Sequence, residues 1–129
     1  MRVCKTREFA RFAKRERIAD AALCEAVSRL ERGLIDAELG SGLVKQRVAR
    51  LGQGRSGGFR TLIVYRAAAR AVFVYGFAKS ERGNIGESEL VFWRKVAAVF
   101  LGLDAVKMQE AVALEEIEEV ICHDKAQSN

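Results

Sequence analysis

The chain has 129 residues, 50% of them apolar and 30% charged, which fits one domain with one core and excludes a disordered or fibrous chain. No apolar run approaches the ~18 residues that a bilayer-spanning helix needs, and Met1-Arg2-Val3-Cys4-Lys5 lacks the apolar stretch of a secretion signal, so a cytoplasmic protein is expected. The net charge of +5 is uneven: residues 42–85 hold 9 basic and 1 acidic group, a net of +8, whereas residues 86–129 hold 4 basic and 9 acidic groups, a net of −5.

Arg2–Cys4 is long enough for a short first strand. Phe9, Phe12 and Ala13 recur at helical spacing over residues 6–17, with Thr6 as the N-cap. A second helix is predicted from Asp20 to Gly33, with Leu23, Ala26, Val27 and Leu30 on one face. The short break between the two predicts an antiparallel helical hairpin. The period then changes, and residues 43–50, 59–66 and 71–77 read as strands. The last two are apolar on both faces, which places them centrally, and Ala67–Arg70 joins them as a hairpin. Leu90, Trp93, Ala97 and Leu101 predict a helix over 87–101, stopped by Gly102. Asp104 caps a final predicted helix reaching Ile121, with Val106, Ala113, Ile117 and Val120 on its apolar side and Glu110, Glu115, Glu116, Glu118 and Glu119 on the other. The fold class that follows is α+β, an N-terminal helical hairpin packed on one face of a small antiparallel β-sheet, with C-terminal helices. Residues 1–129 form a single domain.

Conventional catalytic groups are scarce. Cys4, Cys24 and Cys122 are an odd number, far apart and without a Cys-x-x-Cys pair, so reduced thiols are expected rather than a disulfide framework. The single histidine, His123, stands among Cys122, Asp124 and Lys125, and adjacent side chains cannot converge on one point. No Walker loop, dinucleotide fingerprint or zinc spacing occurs, so neither cofactor nor metal is expected.

The basic segment carries the remaining signal. A net of +8 opposed only by Glu81 suits a polyanion, whose counterions clustered cations displace. A solvated basic face without a partner is the other reading. Within it, Gly52-Gln53-Gly54-Arg55-Ser56-Gly57-Gly58-Phe59-Arg60 has three readings. It is a nest of backbone N–H groups for phosphate, a plain hairpin loop, or a means of bringing Arg55 and Arg60 to a nucleic-acid backbone. In a strand, Lys45 and Arg47 share one side, as do Arg60 and Arg66, and Lys79 and Arg82 follow the neighbouring strand.

The run Arg55-Ser56-Gly57-Gly58-Phe59-Arg60-Thr61-Leu62-Ile63-Val64-Tyr65-Arg66, followed by Phe73-Val74-Tyr75-Gly76-Phe77-Ala78-Lys79-Ser80-Glu81-Arg82, resembles the RelE-like branch of the RelE/ParE superfamily, the toxins of type II toxin–antitoxin modules. The resemblance covers residues 1–101 as a core, and residues 103–129 resemble the C-terminal extension of longer members. It implies a ribosome-associated endoribonuclease that cuts mRNA, inhibits translation and is partnered by a cognate antitoxin. Arg60 matches the strand arginine that contacts the scissile phosphate, and Lys79 and Arg82 match the basic cluster after the last central strand. These three are the expected catalytic residues, with Lys45, Arg47, Arg50, Arg55 and Arg66 as RNA-binding ones. Arginine suits this work because it matches phosphate geometry bidentately and stabilises a phosphorane electrostatically. Ser80 stands where the ribosome-dependent type often carries an arginine, and no tyrosine appears near Gly86. The general acid and base are therefore left unassigned. Two alternatives stay open, a non-nucleolytic gyrase-binding toxin of the ParE type and a catalytically impaired nucleic-acid-binding module.

Overall fold

Strand β1 (Arg2–Thr6) ends at a residue built to start a helix. The Thr6 hydroxyl accepts the Phe9 N–H at 3.1 Å and caps α1 (Arg7–Glu16). A computed structural model describes residues 1–50 and 54–122. After α1 come α2 (Asp20–Glu31), β2 (Ala37–Gly40), β3 (Leu43–Arg50), β4 (Gly54–Arg66), β5 (Arg70–Ala78), α3 (Glu87–Gly102), α4 (Ala105–Ala113) and β6 (Ile117–Glu119). The strands form one sheet in the order β2-β3-β4-β5-β1-β6.

The central strands are the ones whose residues are apolar on both faces. Phe59, Leu62, Ile63 and Val64 of β4 and Ala71, Val72 and Phe73 of β5 are all fully buried. One face of the sheet takes Phe9 and Phe12 from α1 and Leu23, Ala26, Val27 and Leu30 from α2, packed on Val48, Phe59, Ile63 and Phe73. The other takes Ala97 of α3 and Met108 of α4 on Leu43, Leu62, Val64 and Val72. Helices thus cover both faces, not one. The α+β class and the helical hairpin stand, but the sheet is mixed rather than antiparallel, because β1 runs parallel to β5 from Arg2↔Arg70 to Lys5↔Phe73. A crossover through the two helices delivers that parallel pairing, and strand patterning does not encode it.

The final predicted helix is corrected. It stops at Ala113, Glu115 takes a left-handed φ of 62°, and Ile117–Glu119 pairs antiparallel with β1. Asp104 does cap α4, accepting from the Lys107 N–H at 2.8 Å. The buried α4 residues are Met108 and Ala111, while Val106 is 65% exposed. A three-residue strand is too short to show a period and forms because the outer edge of β1 is there to receive it.

The cysteine expectation is also corrected. Cys24 of α2 and Cys122 just after β6 form a disulfide with Cα atoms 5.5 Å apart, although 98 residues separate them in sequence. Sequence distance gave no sign that α2 and the end of the sheet converge. Cys4 is a free, fully buried thiol, and burial first, then the Glu119 carboxylate, push its pKa up to about 11.

Two local features shape the region that follows. The β4–β5 register passes from Leu62↔Tyr75 to Ile63↔Phe73, so Val74 is the extra residue of a bulge. Beyond it Tyr75 and Phe77 lie on the α3 side, and Gly76 meets α1. A Cβ at Gly76 would stand 2.4 Å from the Phe12 ring, so only glycine lets that ring lie on the strand.

Candidate nucleic-acid interface

Directly opposed residues of an antiparallel pair share a face. The pairs Lys45↔Leu62, Arg47↔Arg60 and Arg60↔Phe77 therefore set Lys45, Arg47 and Arg60 on the α3 side, across three adjacent strands from Phe77. Helix α3 is fastened to the other end of that face. There Arg70 and Arg66 donate to the Phe100 and Leu101 carbonyls at 2.6 and 3.1 Å, which satisfies acceptors at the helix C-terminus. Arg47 is left exposed, with Lys45 and Arg60 half-buried.

Two arginines directly opposite each other repel. Arg47 eases this by leaning toward Asp36, Nε to Oδ2 3.6 Å. Arg60 gains no such relief: its Nη1 is buried and has no hydrogen-bond partner among the described residues. A buried guanidinium nitrogen without an acceptor costs free energy in the free protein. An anion is the kind of group that would supply the missing acceptor.

The turn after β5 brings the next cations. Arg82 crosses the Phe77 ring at 5.4 Å and donates to the Tyr75 hydroxyl at 3.3 Å and to Glu89 Oε2 at 3.0 Å. The Glu89 carboxyl is held below its ordinary pKa, first by the Arg82 hydrogen bond and then by the Gly86 N–H, and Arg82 is raised in return. Asn84 joins this group to β3, since its Oδ1 accepts from Lys45 Nζ at 3.2 Å and its carbonyl from Arg82 Nε at 3.1 Å. Tyr75 stacks on Trp93, ring centroids 5.1 Å apart.

Behind β3 a polar network fixes the strand from the other face. Gln46 is fully buried, donates to the Ala26 and Leu34 carbonyls at 3.2 and 3.0 Å, and accepts the Asp36 N–H at 2.9 Å. The Thr61 hydroxyl donates to the Gln46 carbonyl at 2.8 Å. Arg29, 5% exposed, donates to the Arg47 carbonyl, and Asp36 accepts the Arg47 N–H at 2.7 Å. Arg47 is thereby placed by its own backbone.

Of the residues singled out in the sequence, Lys45, Arg47, Arg60 and Arg82 come together on one face. Lys79 is exposed in the turn between Ala78 and Arg82. Arg66 stands at the opposite end of β4, engaged with α3. Residues 51–53, the side chains of Arg50 and Arg55, and His123 lie outside the described residues. Most of the glycine-rich run is strand rather than loop, because β4 begins at Gly54. Sequence reasoning missed Tyr75, Asn84 and Glu89 on this face and Gln46, Arg29 and Asp36 behind it. Gln46 alone carried a signal, as an amide inside an otherwise apolar strand side.

Among the described residues no three His, Cys, Asp or Glu side chains gather as a metal site, and no helix is long and apolar enough to cross a membrane. A search of the curated proteins finds no match. The family model described as "RelE toxin of RelE / RelB toxin-antitoxin system" matches residues 1–120. That match takes in the helical hairpin, all six strands and the basic face between β3 and β5, and by it this chain belongs to the RelE toxin family.

Proposed function

We propose that this chain is the toxin of a type II toxin–antitoxin module, that it cleaves mRNA on the ribosome in the cytoplasm, and that a cognate antitoxin protein is its partner. The observation that carries the reading is Arg60, a half-buried strand arginine whose Nη1 has no acceptor among the described residues, on a face it shares with Lys45 and Arg47. RNA cleavage through the 2′-hydroxyl builds charge on the phosphorane oxygens, and a donor already fixed and desolvated stabilises that charge without reorganising. Lys45 and Arg47 hold the flanking phosphates. Arg82 is spoken for by Glu89, so its part is to fix Tyr75 and the Asn84 turn, with exposed Lys79 meeting the RNA backbone beside them. Of the two tyrosines, Tyr75 lies on this side and Tyr65 on the α1/α2 side. Tyr75 supplies the hydroxyl through which a proton is exchanged.

The test is mRNA cleavage in a translating extract. Arg60→Ala is expected to cut about 10²–10³-fold more slowly, the worth of one transition-state donor, while its thermal unfolding stays at or above that of the parent because an unpaired buried group has been removed. Tyr75→Phe keeps the ring on Trp93 and is expected to slow cleavage without altering RNA affinity. Unchanged cleavage by Arg60→Ala removes the site assignment.

A further inference from the structure

Helix α2 grips the β1–β6 edge of the sheet at two points. Asp20 opens the helix and accepts from Lys5 Nζ of β1 at 2.9 Å, and Cys24, one turn on, is bonded to Cys122 just after β6. Strand β6 has little other hold. It meets β1 over three residues, Cys4↔Glu119, Lys5↔Glu118 and Thr6↔Ile117, and the Val120 N–H adds one bond to the Val3 carbonyl at 2.8 Å. Ile117 and Val120 are buried, whereas Glu118, Glu119 and Ile121 are exposed. The Arg2–Glu119 ion pair lies at the surface, where such pairs add little. Opposite Glu119 on β1 is Cys4, fully buried in one cluster with Met108, Ala111 and Ile117.

The disulfide is reachable from solvent. Cys24 and Cys122 are both half-buried, and exposed pairs are the ones that exchange readily with other thiols. In the cytoplasm, to which the reading above assigns the chain, thiols are kept reduced and disulfides that form are transient. We propose that Cys24–Cys122 is a reversible exchange site for a dithiol reductant, and that opening it releases residues 117–122 from β1 and uncovers Cys4. One thiolate of the reductant attacks a sulfur of the pair, forms a mixed disulfide and expels the other sulfur as a thiolate. The second thiol of the reductant then displaces the mixed disulfide. One S–S bond is broken in the chain and one is made in the reductant. Two electrons pass to the chain, and the two protons of the dithiol end on Cys24 and Cys122. Reverse exchange with another disulfide closes the latch. The turn before β6 is fastened separately, since Arg7 donates its N–H to the Glu116 carbonyl and its side chain to that of Glu115. The released segment therefore begins at Ile117. Only the compartment rests on the toxin reading; the latch does not.

The test uses the full chain, oxidised in air, with dithiothreitol as the dithiol. In native buffer dithiothreitol is expected to open the pair while circular dichroism stays that of a folded chain. Amide exchange at Val120 and maleimide labelling of Cys4 should then each quicken about tenfold or more, because a tether holds a strand by effective concentration and not by added contacts. Oxidised glutathione should restore the original protection. Cys122→Ser is expected to show the faster exchange and labelling from the start, with no response to either reagent. Should that variant not fold, reduction of the parent chain still decides the matter. A pair that opens only as the whole chain unfolds is a structural staple and overturns the proposal. Opening that leaves Val120 exchange and Cys4 labelling unchanged also overturns it, as do three free thiols in the air-oxidised chain. No arm reads RNA cleavage. A chain that latches but does not cut sinks the cleavage reading alone, and one that cuts but does not latch sinks the latch alone.

Discussion

The two faces of the sheet are built for different work. On the α1/α2 side, aromatic rings interlock, with Phe9 5.2 Å from Phe73 and Phe12 5.6 Å from Phe59, and the buried Gln46 and Arg29 are both paired, with Asp36 at the edge of their network. The disulfide closes the same side onto the strand edge. On the α3 side the helix covers one end of the sheet and leaves cations at the other, one of them with a buried nitrogen that no described residue satisfies. The closed face fixes strand positions to within a hydrogen bond, and the open face spends that rigidity on holding like charges together.

Paired substitutions break or sharpen this contrast. Phe73→Ala empties the closed face and is expected to cost about 3–5 kcal/mol of stability, whereas Phe92→Ala on the open face should stay within about 0.5 kcal/mol. Denaturant unfolding of the two compares the faces, and equal losses would abolish the distinction. Cys24→Ser, or reduction, is expected to lower stability by about 2–4 kcal/mol, because a loop closed across a sequence separation of 98 residues is released in the unfolded state. The same measurement in reducing and oxidising buffer checks it. Gln46→Leu strands the Asp36 N–H and the Ala26 and Leu34 carbonyls, at about 1–3 kcal/mol. Cleavage should suffer beyond that loss, since the Arg47 and Arg60 strands lose their fixed spacing. The smallest effect is electrostatic. Glu89 is held below the ordinary glutamate value of about 4.3. Its pair with Arg82 therefore contributes above that pH and is lost as pH falls through the lowered pKa, which a carboxyl NMR titration of Glu89 reads directly.

Much of the architecture was legible because it depends on period and caps. Thr6 and Asp104 start helices by accepting the N–H three residues on, and the unbroken apolar runs of β4 and β5 have to be central. What failed was local structure decided elsewhere. Ile117 and Val120 fit a helical stripe as well as a strand, and the free edge of β1 settled the choice. Arg60 stood out in the sequence through its glycine-rich approach and its resemblance to a family arginine. Tyr75 was passed over, because only the bulge at Val74 turns it toward the basic side.

From the sequence alone came the α+β class, the helical hairpin, the basic segment and the family that its strand motif resembles. These follow from which side chains recur at which spacing and from where charge accumulates, and both are properties of the chain as written. The tertiary structure decided which cations meet, which are spent on α3, how far β1 reaches along β5, and that Cys24 finds Cys122. Each of these is a matter of register between segments far apart in sequence. A shift of one residue in a strand turns every side chain to the other face, and nothing in a single strand's own composition fixes that shift.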